Sequence, residues 1–204
     1  MPIITNLVQT RGPYPRIRVY LDGRYAFSVE LEAGRHLKKE QHLSEEELED
    51  LARASQGERA LAMAMRMLVR RPYSRQEIEQ RLAQKHFDQE TIVRTLDALA
   101  ARGLLDDAGF ARFWCENRDA FRPRSRALVA LELRRKGIAA VTINEATVGM
   151  DDEASAFQAG EKKARTLGQA DHDTFYRRLG DYLRRRGYNY DVIKITVDKL
   201  WQIR

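Results

Sequence analysis

Along the first thirty residues the apolar positions recur with a period of two. Ile17, Val19 and Leu21 alternate with Arg16, Arg18 and Tyr20, and after Asp22-Gly23 the residues Tyr25, Phe27 and Val29 alternate with Arg24, Ala26 and Ser28. This pattern predicts a β-hairpin, because Asp-Gly accepts the positive φ angles of a type I′ turn. A lone hairpin is marginal in water, and Ile3 to Val8 supplies a third strand. After Leu31 the alternation stops. Ser44 with Glu47 forms a capping box, which predicts a helix from Glu45 to about Gln56 with Gly57 as its stop. From Glu58 to Arg71 a second helix follows, with Leu61, Met65 and Leu68 at i, i+4 and i+7 and methionines as core filling.

Beyond this point the chain repeats itself. Ile78, Leu82, Lys85, Phe87, Ile92 and Leu99, shifted by 51 positions, fall on Val129, Leu133, Lys136, Ile138, Ile143 and Met150. A further shift of 50 falls on Leu179, Leu183, Arg186, Tyr188, Ile193 and Leu200. Each unit therefore carries an amphipathic helix ending in Leu-x-x-basic, a turn closed by an apolar residue, and a second helix. Lys136-Gly137 and Arg186-Gly187 place glycine where a helix ends in a left-handed residue, and His86 holds that place in the first unit. Ser74 with Glu77 forms another capping box, and Ser125 and Asp173 or Thr174 cap the matching helices. A further helix precedes each unit, at about Glu58 to Arg70, Ala108 to Arg118 and Ala154 to Thr166. The fold class is mainly α: three tandem three-helix repeats forming an elongated curved body, with a small N-terminal β-hairpin or sheet. The expected divisions are 1–57 for the β segment and connecting helix, then repeats at 58–107, 108–152 and 153–204.

Composition narrows the function classes. The 204 residues hold 43% hydrophobic and 32% charged residues with 12 Gly and 5 Pro, the balance of a soluble helical protein and not of a disordered one. The Met1-Pro2-Ile3-Ile4 start has no leader pattern and no window approaches a membrane span, so a cytoplasmic protein without membrane contact is expected. Cys115 stands alone and the histidines lack metal-ligand spacing, which excludes disulfide and structural zinc scaffolds. The net charge of +6 is unevenly spread. Glu40 to Glu58 holds seven acids against Arg53, whereas Phe110 to Ile138 and Thr174 to Arg204 each hold eight bases against three acids. Clustered Arg favours a polyanionic partner, either nucleic acid or an acidic protein groove, with a solvated helix face as the alternative.

The pair Asp106-Asp107 invites a metal or acid–base reading. Capping accounts for it better: Gly103 ends one helix, and a carboxylate at the next helix start accepts free N–H groups. No His, third acid or phosphate-binding Gly loop accompanies the pair. Beside Trp114 and Phe113, Cys115 reads as a buried inert thiol.

Leu104-Leu105-Asp106-Asp107, then Phe110-Ala111, Arg118 and Glu132-Leu133-x-x-Lys136-Gly137-Ile138 resemble the RecX family of bacterial recombinase regulators. The similarity runs from about Ala60 to Gln202. Tyr20-Leu21-Asp22-Gly23-x-Tyr25-Ala26-Phe27 and Leu43-Ser44-Glu45-Glu46-Glu47-Leu48 resemble the extension of longer members. His86 departs from the usual Gly in the first turn, and Ser125 stands where the central module often has Gly. The resemblance implies a monomer that binds the RecA recombinase filament, with DNA reached directly or through the filament, and that modulates its ATPase and strand exchange in DNA repair. Inhibition is the expected sense, with no catalytic site, no metal and no cofactor. Candidate contacts are Arg118, Arg122, Arg124, Arg126, Arg134, Arg135 and Lys136 in the central module and Arg184, Arg185 and Arg186 in the third. Helix-dipole pairing is the structural alternative for these clusters. A general nucleic-acid-binding repeat protein without recombinase contact is the rival function.

Overall fold

The computed structural model describes residues 1–11 and 15–204. Three strands, β1 (Ile4–Gln9), β2 (Arg16–Leu21) and β3 (Arg24–Glu30), form an antiparallel sheet in that order. Asp22 and Gly23 both have positive φ (47° and 80°), the backbone a type I′ turn requires. The sheet is one-sided. Ile4, Val19 and Val29 are fully buried and pack with Leu37, Leu43 and Leu51.

The ten helices among the described residues begin with the single turn α1 (Leu31–Gly34) and α2 (Glu45–Leu68), whose Ser44/Glu47 capping box forms as expected. The stop expected at Gly57 does not occur. α2 runs through it, so the expected division at 57/58 falls inside one helix. An internal glycine costs about 1 kcal/mol relative to alanine, which weakens a helix without ending it. Packing of α2 on both β3 and α4 outweighs that cost.

Next come α3 (Arg75–Ala83) and α4 (Gln89–Ala101), then α5 (Asp107–Phe121), α6 (Arg126–Arg135) and α7 (Ala140–Thr147), and last α8 (Asp152–Arg165), α9 (His172–Arg184) and α10 (Tyr190–Gln202). Among the described residues no strand follows Glu30. Ile78, Leu82, Val129, Leu133, Leu179 and Leu183 are all fully buried, as the repeat alignment requires. His86, Gly103, Gly137 and Gly187 each have φ between 61° and 89°. In each case the next residue, Phe87, Leu104, Ile138 or Tyr188, returns its N–H to the carbonyl five residues back, the bond that closes a Schellman turn.

The chain divides into two compact units, residues 1–71 with 77–105, and residues 72–76 with 106–204. In the second unit Phe110, Ala111, Cys115, Val129, Leu133, Ile138 and Ile143 form one core, and Ala156, Ala159, Phe175, Leu179, Leu183 and Leu200 belong to another. Ser125 caps α6. The cap expected at Asp173 or Thr174 is supplied by Asp171, which accepts from Thr174 N–H at 2.8 Å, because α9 starts about one turn earlier than the repeat alignment implies.

Candidate functional site

All ten candidate basic residues belong to the second unit. A polar hub forms around Glu132 of α6. Its carboxylate accepts from Trp114 Nε1 at 2.8 Å, from Arg118 Nε at 2.7 Å and from Arg124 Nη1. Only 11% of the Glu132 side chain and 16% of Arg118 remain exposed. Burial pushes the Glu132 carboxyl up, but the hydrogen bonds from Arg118 and Trp114 and the charges of Arg118 and Arg124 outweigh it and hold it below the ordinary carboxylate range. The Trp114 ring carries a cation on either count: the Arg118 guanidinium lies 4.2 Å from its centroid and Lys136 Nζ 4.3 Å. In the sequence Glu132 stands out as a family-motif residue and Trp114 only as a neighbour of Cys115, and neither fact points to this hub. The i, i+4 spacing of Trp114 and Arg118 was the available signal, but the loop residue Arg124 joins them only in three dimensions.

Arg186 is similarly engaged. Its guanidinium lies 4.5 Å from the Tyr182 ring centroid and donates to Pro123 O at 2.8 Å, while Ser125 N–H donates to Arg186 O at 3.0 Å. The third module's turn is thereby held on the loop that leads into α6. Gly187 lies in this contact with a φ of 89°, and a Cβ there would stand 2.5 Å from Ser125 Oγ and 2.8 Å from Leu128 Cβ.

The remaining candidates face solvent. Arg122, Arg134, Arg135 and Arg185 are exposed and carry no ion pair among the described residues. Arg184 pairs with Asp181 at 3.0 Å while 73% of its side chain stays exposed. Arg126 is exposed and its Nε approaches Thr147 Oγ1 at 3.4 Å. Arg134 and Arg135 end α6, and Arg184 and Arg185 end α9 at corresponding repeat positions. Cationic residues there also complement the helix dipole.

The aspartate pair serves the backbone. Asp106 accepts from Gly109 N–H at 2.8 Å and caps α5, and Asp107 accepts from Arg75 N–H at 3.0 Å within the second unit. Asp152 treats the start of α6 likewise, accepting from Arg126 N–H at 2.7 Å. Among the described residues no group of three or more His, Cys, Asp or Glu could hold a metal ion. Burial pushes the Cys115 thiol up, away from reactivity. No described helix is long and apolar enough to cross a membrane.

Comparison with known proteins decides the family. The first, second and third three-helix domains of RecX match residues 60–99, 106–146 and 151–197 in order. The chain belongs to the RecX family. A regulatory protein RecX of Mycobacterium avium is 35% identical over 143 residues, covering 68% of this chain and 82% of that protein. One from Chlorobaculum tepidum is 35% identical over 138 residues, 68% of this chain and 86% of that protein. One from Clostridioides difficile is 26% identical over 205 residues, covering 98% and 96% of the two chains and so including the N-terminal segment. A crystal structure of regulatory protein RecX matches with a TM-score of 0.68 at 21% identity over 97% of this chain and all of the other. That of RecX from Lactobacillus salivarius gives 0.60 at 18% identity over 73% of this chain and 99% of its own. These two likenesses establish the fold, and the family is one of regulatory proteins.

Proposed function

We propose that this RecX-family chain regulates the RecA recombinase by binding its nucleoprotein filament as a cytoplasmic monomer, damping ATP hydrolysis and strand exchange in DNA repair without performing catalysis. The observation that carries this reading is the recurrence of uncompensated Arg at corresponding helix ends, Arg134 and Arg135 on α6 and Arg185 after α9, with exposed Arg122 at the end of α5 in the central module. A polyanionic groove of protein and DNA suits such charge because planar guanidinium groups donate paired hydrogen bonds to phosphate and carboxylate alike. Arg122, Arg126, Arg134, Arg135, Arg184 and Arg185 make the contacts. Arg118, Arg124, Lys136 and Arg186, tied to Glu132, Trp114, Tyr182 and Pro123, hold the surface that presents them.

Charge reversal tests the assignment. The variant Arg134→Glu/Arg135→Glu/Arg185→Glu is expected to fold as the parent does and to lose its effect on recombinase ATPase, since like charge facing a groove or phosphate repels. Retained modulation in that variant overturns the contact assignment. Full modulation by a variant that no longer binds naked DNA retires the rival in which the chain meets the recombinase only through shared DNA.

A further inference from the structure

The first unit holds a basic pocket that the filament reading does not use. About 230 Å³ in volume, it is lined by Arg16 at the start of β2, by Arg59, Ala62, Met63 and Arg66 of α2, and by Lys85 and Phe87 after α3. The α2 residues fall at i, i+3, i+4 and i+7, one face of a helix, so the sequence spacing itself aims both arginines the same way. Four cations line the pocket and no carboxylate does. Arg59, Arg66 and Lys85 are exposed and have no ion pair among the described residues. Arg59 lies over the Phe87 ring, 5.9 Å from its centroid, which orients the guanidinium without neutralising it.

Arg16 is the fixed member of the pocket. One end of its guanidinium is held by Glu58 and by Ser28 O at 3.2 Å, which fixes the fork, yet its buried Nε has no hydrogen-bond partner. Glu58 offsets the charge of Arg16 and its Nε is too buried to meet an incoming group, so Arg59, Arg66 and Lys85 supply the uncompensated charge around the pocket. A carboxylate brings one charge in a single plane. A phosphoryl group brings up to two charges and three oxygens, which donors converging from a strand, a helix and a turn can share. Pockets that enclose a drug-sized ligand run from about 300 to 1,000 Å³, so this one takes the charged group and not the whole molecule that carries it.

We propose that the pocket formed by Arg16, Arg59, Arg66 and Lys85 is an oxyanion site for a phosphoryl group, borne by free polyphosphate or by the backbone of a nucleic-acid strand passing over the first unit. The site rests on its own charge geometry. Its test contains no recombinase, so its failure leaves the filament reading untouched.

The full chain is titrated with inorganic pyrophosphate by calorimetry and with a labelled oligothymidylate by fluorescence anisotropy. Arg59→Gln/Arg66→Gln/Lys85→Gln is compared with the charge-matched Arg24→Gln/Lys39→Gln/Arg102→Gln, all exposed positions of the same unit. Circular dichroism checks that both keep the parent's helix content. The pocket variant is expected to lose about tenfold or more in affinity while the control stays near the parent. Its log–log salt slope for the oligonucleotide is expected to shrink by about 0.7 per lost phosphate contact. A pocket-specific loss with pyrophosphate alone assigns the site to free polyphosphate, and one with the oligonucleotide assigns it to the backbone. Equal behaviour of the two variants with both probes, absence of binding by both probes, or equally tight binding of polyglutamate overturns the proposal.

Discussion

Replacing Glu132 by Gln removes the charge at the centre of the Arg118–Trp114–Arg124 hub while preserving its shape. The carboxylate accepts from two guanidinium groups and an indole, and is 11% exposed against 16% for Arg118 and 34% for Arg124. Exposed pairs contribute about 0.2 to 1 kcal/mol, and breaking a fully buried pair costs about 3 to 5 kcal/mol because the surviving charge stays uncompensated. With Arg124 one-third exposed, the loss falls between these limits, about 2 kcal/mol, or very roughly 4 to 8 °C in Tm for a chain of this size. Thermal and urea unfolding at neutral pH measure it. The pH dependence carries a sign as well. The folded carboxyl titrates below its unfolded range, so its stabilisation is fully present above the unfolded value near 4.3 and is lost as pH falls through the lower folded value. The gap between parent and Glu132→Gln should therefore close as the pH falls below the unfolded value and through the lower folded one. Equal stability at neutral pH, or a gap that widens in acid, refutes the hub.

Gly187→Ala is expected to destabilise by about 1 to 3 kcal/mol in urea unfolding, because it combines a positive φ with a Cβ crowded against Ser125 and Leu128. Asp106→Ala is expected to cost about 1 kcal/mol as a lost helix cap, and the isolated chain should bind no divalent metal through Asp106 and Asp107; calorimetric binding at that pair would contradict this. Cys115 is expected to react with a thiol reagent only at the rate of unfolding, because the thiol is buried and its ionisation pushed up; rapid labelling in native buffer would show an opening of the α5 core.

Periodicity made the hairpin and the repeat legible, because both write their burial directly into the sequence: Val19 and Val29 on one face of a sheet, Ile78, Val129 and Leu179 on successive helices. Gly57 misled because a glycine's cost is local whereas helix continuity in α2 is settled by packing on β3 and α4. The cap of α9 was displaced from Asp173 or Thr174 to Asp171 because the repeats agree in their cores but not in helix length. The basic residues were all found by counting. Which of them are engaged was not, since Arg118 and Arg124 meet Glu132 across 14 and 8 positions, and Arg186 meets Pro123 across 63. The Arg16 pocket was hidden for the same reason: a strand, a helix and a turn contribute to it, and only the Arg59/Arg66 spacing lies within one element.

Direct action on the recombinase filament is read by titrating the chain against RecA ATPase, on DNA too short for the chain to bind on its own. Saturable inhibition that the parent retains and Arg134→Glu/Arg135→Glu/Arg185→Glu loses is the predicted result. ATPase activity unchanged at every concentration of the chain would contradict it.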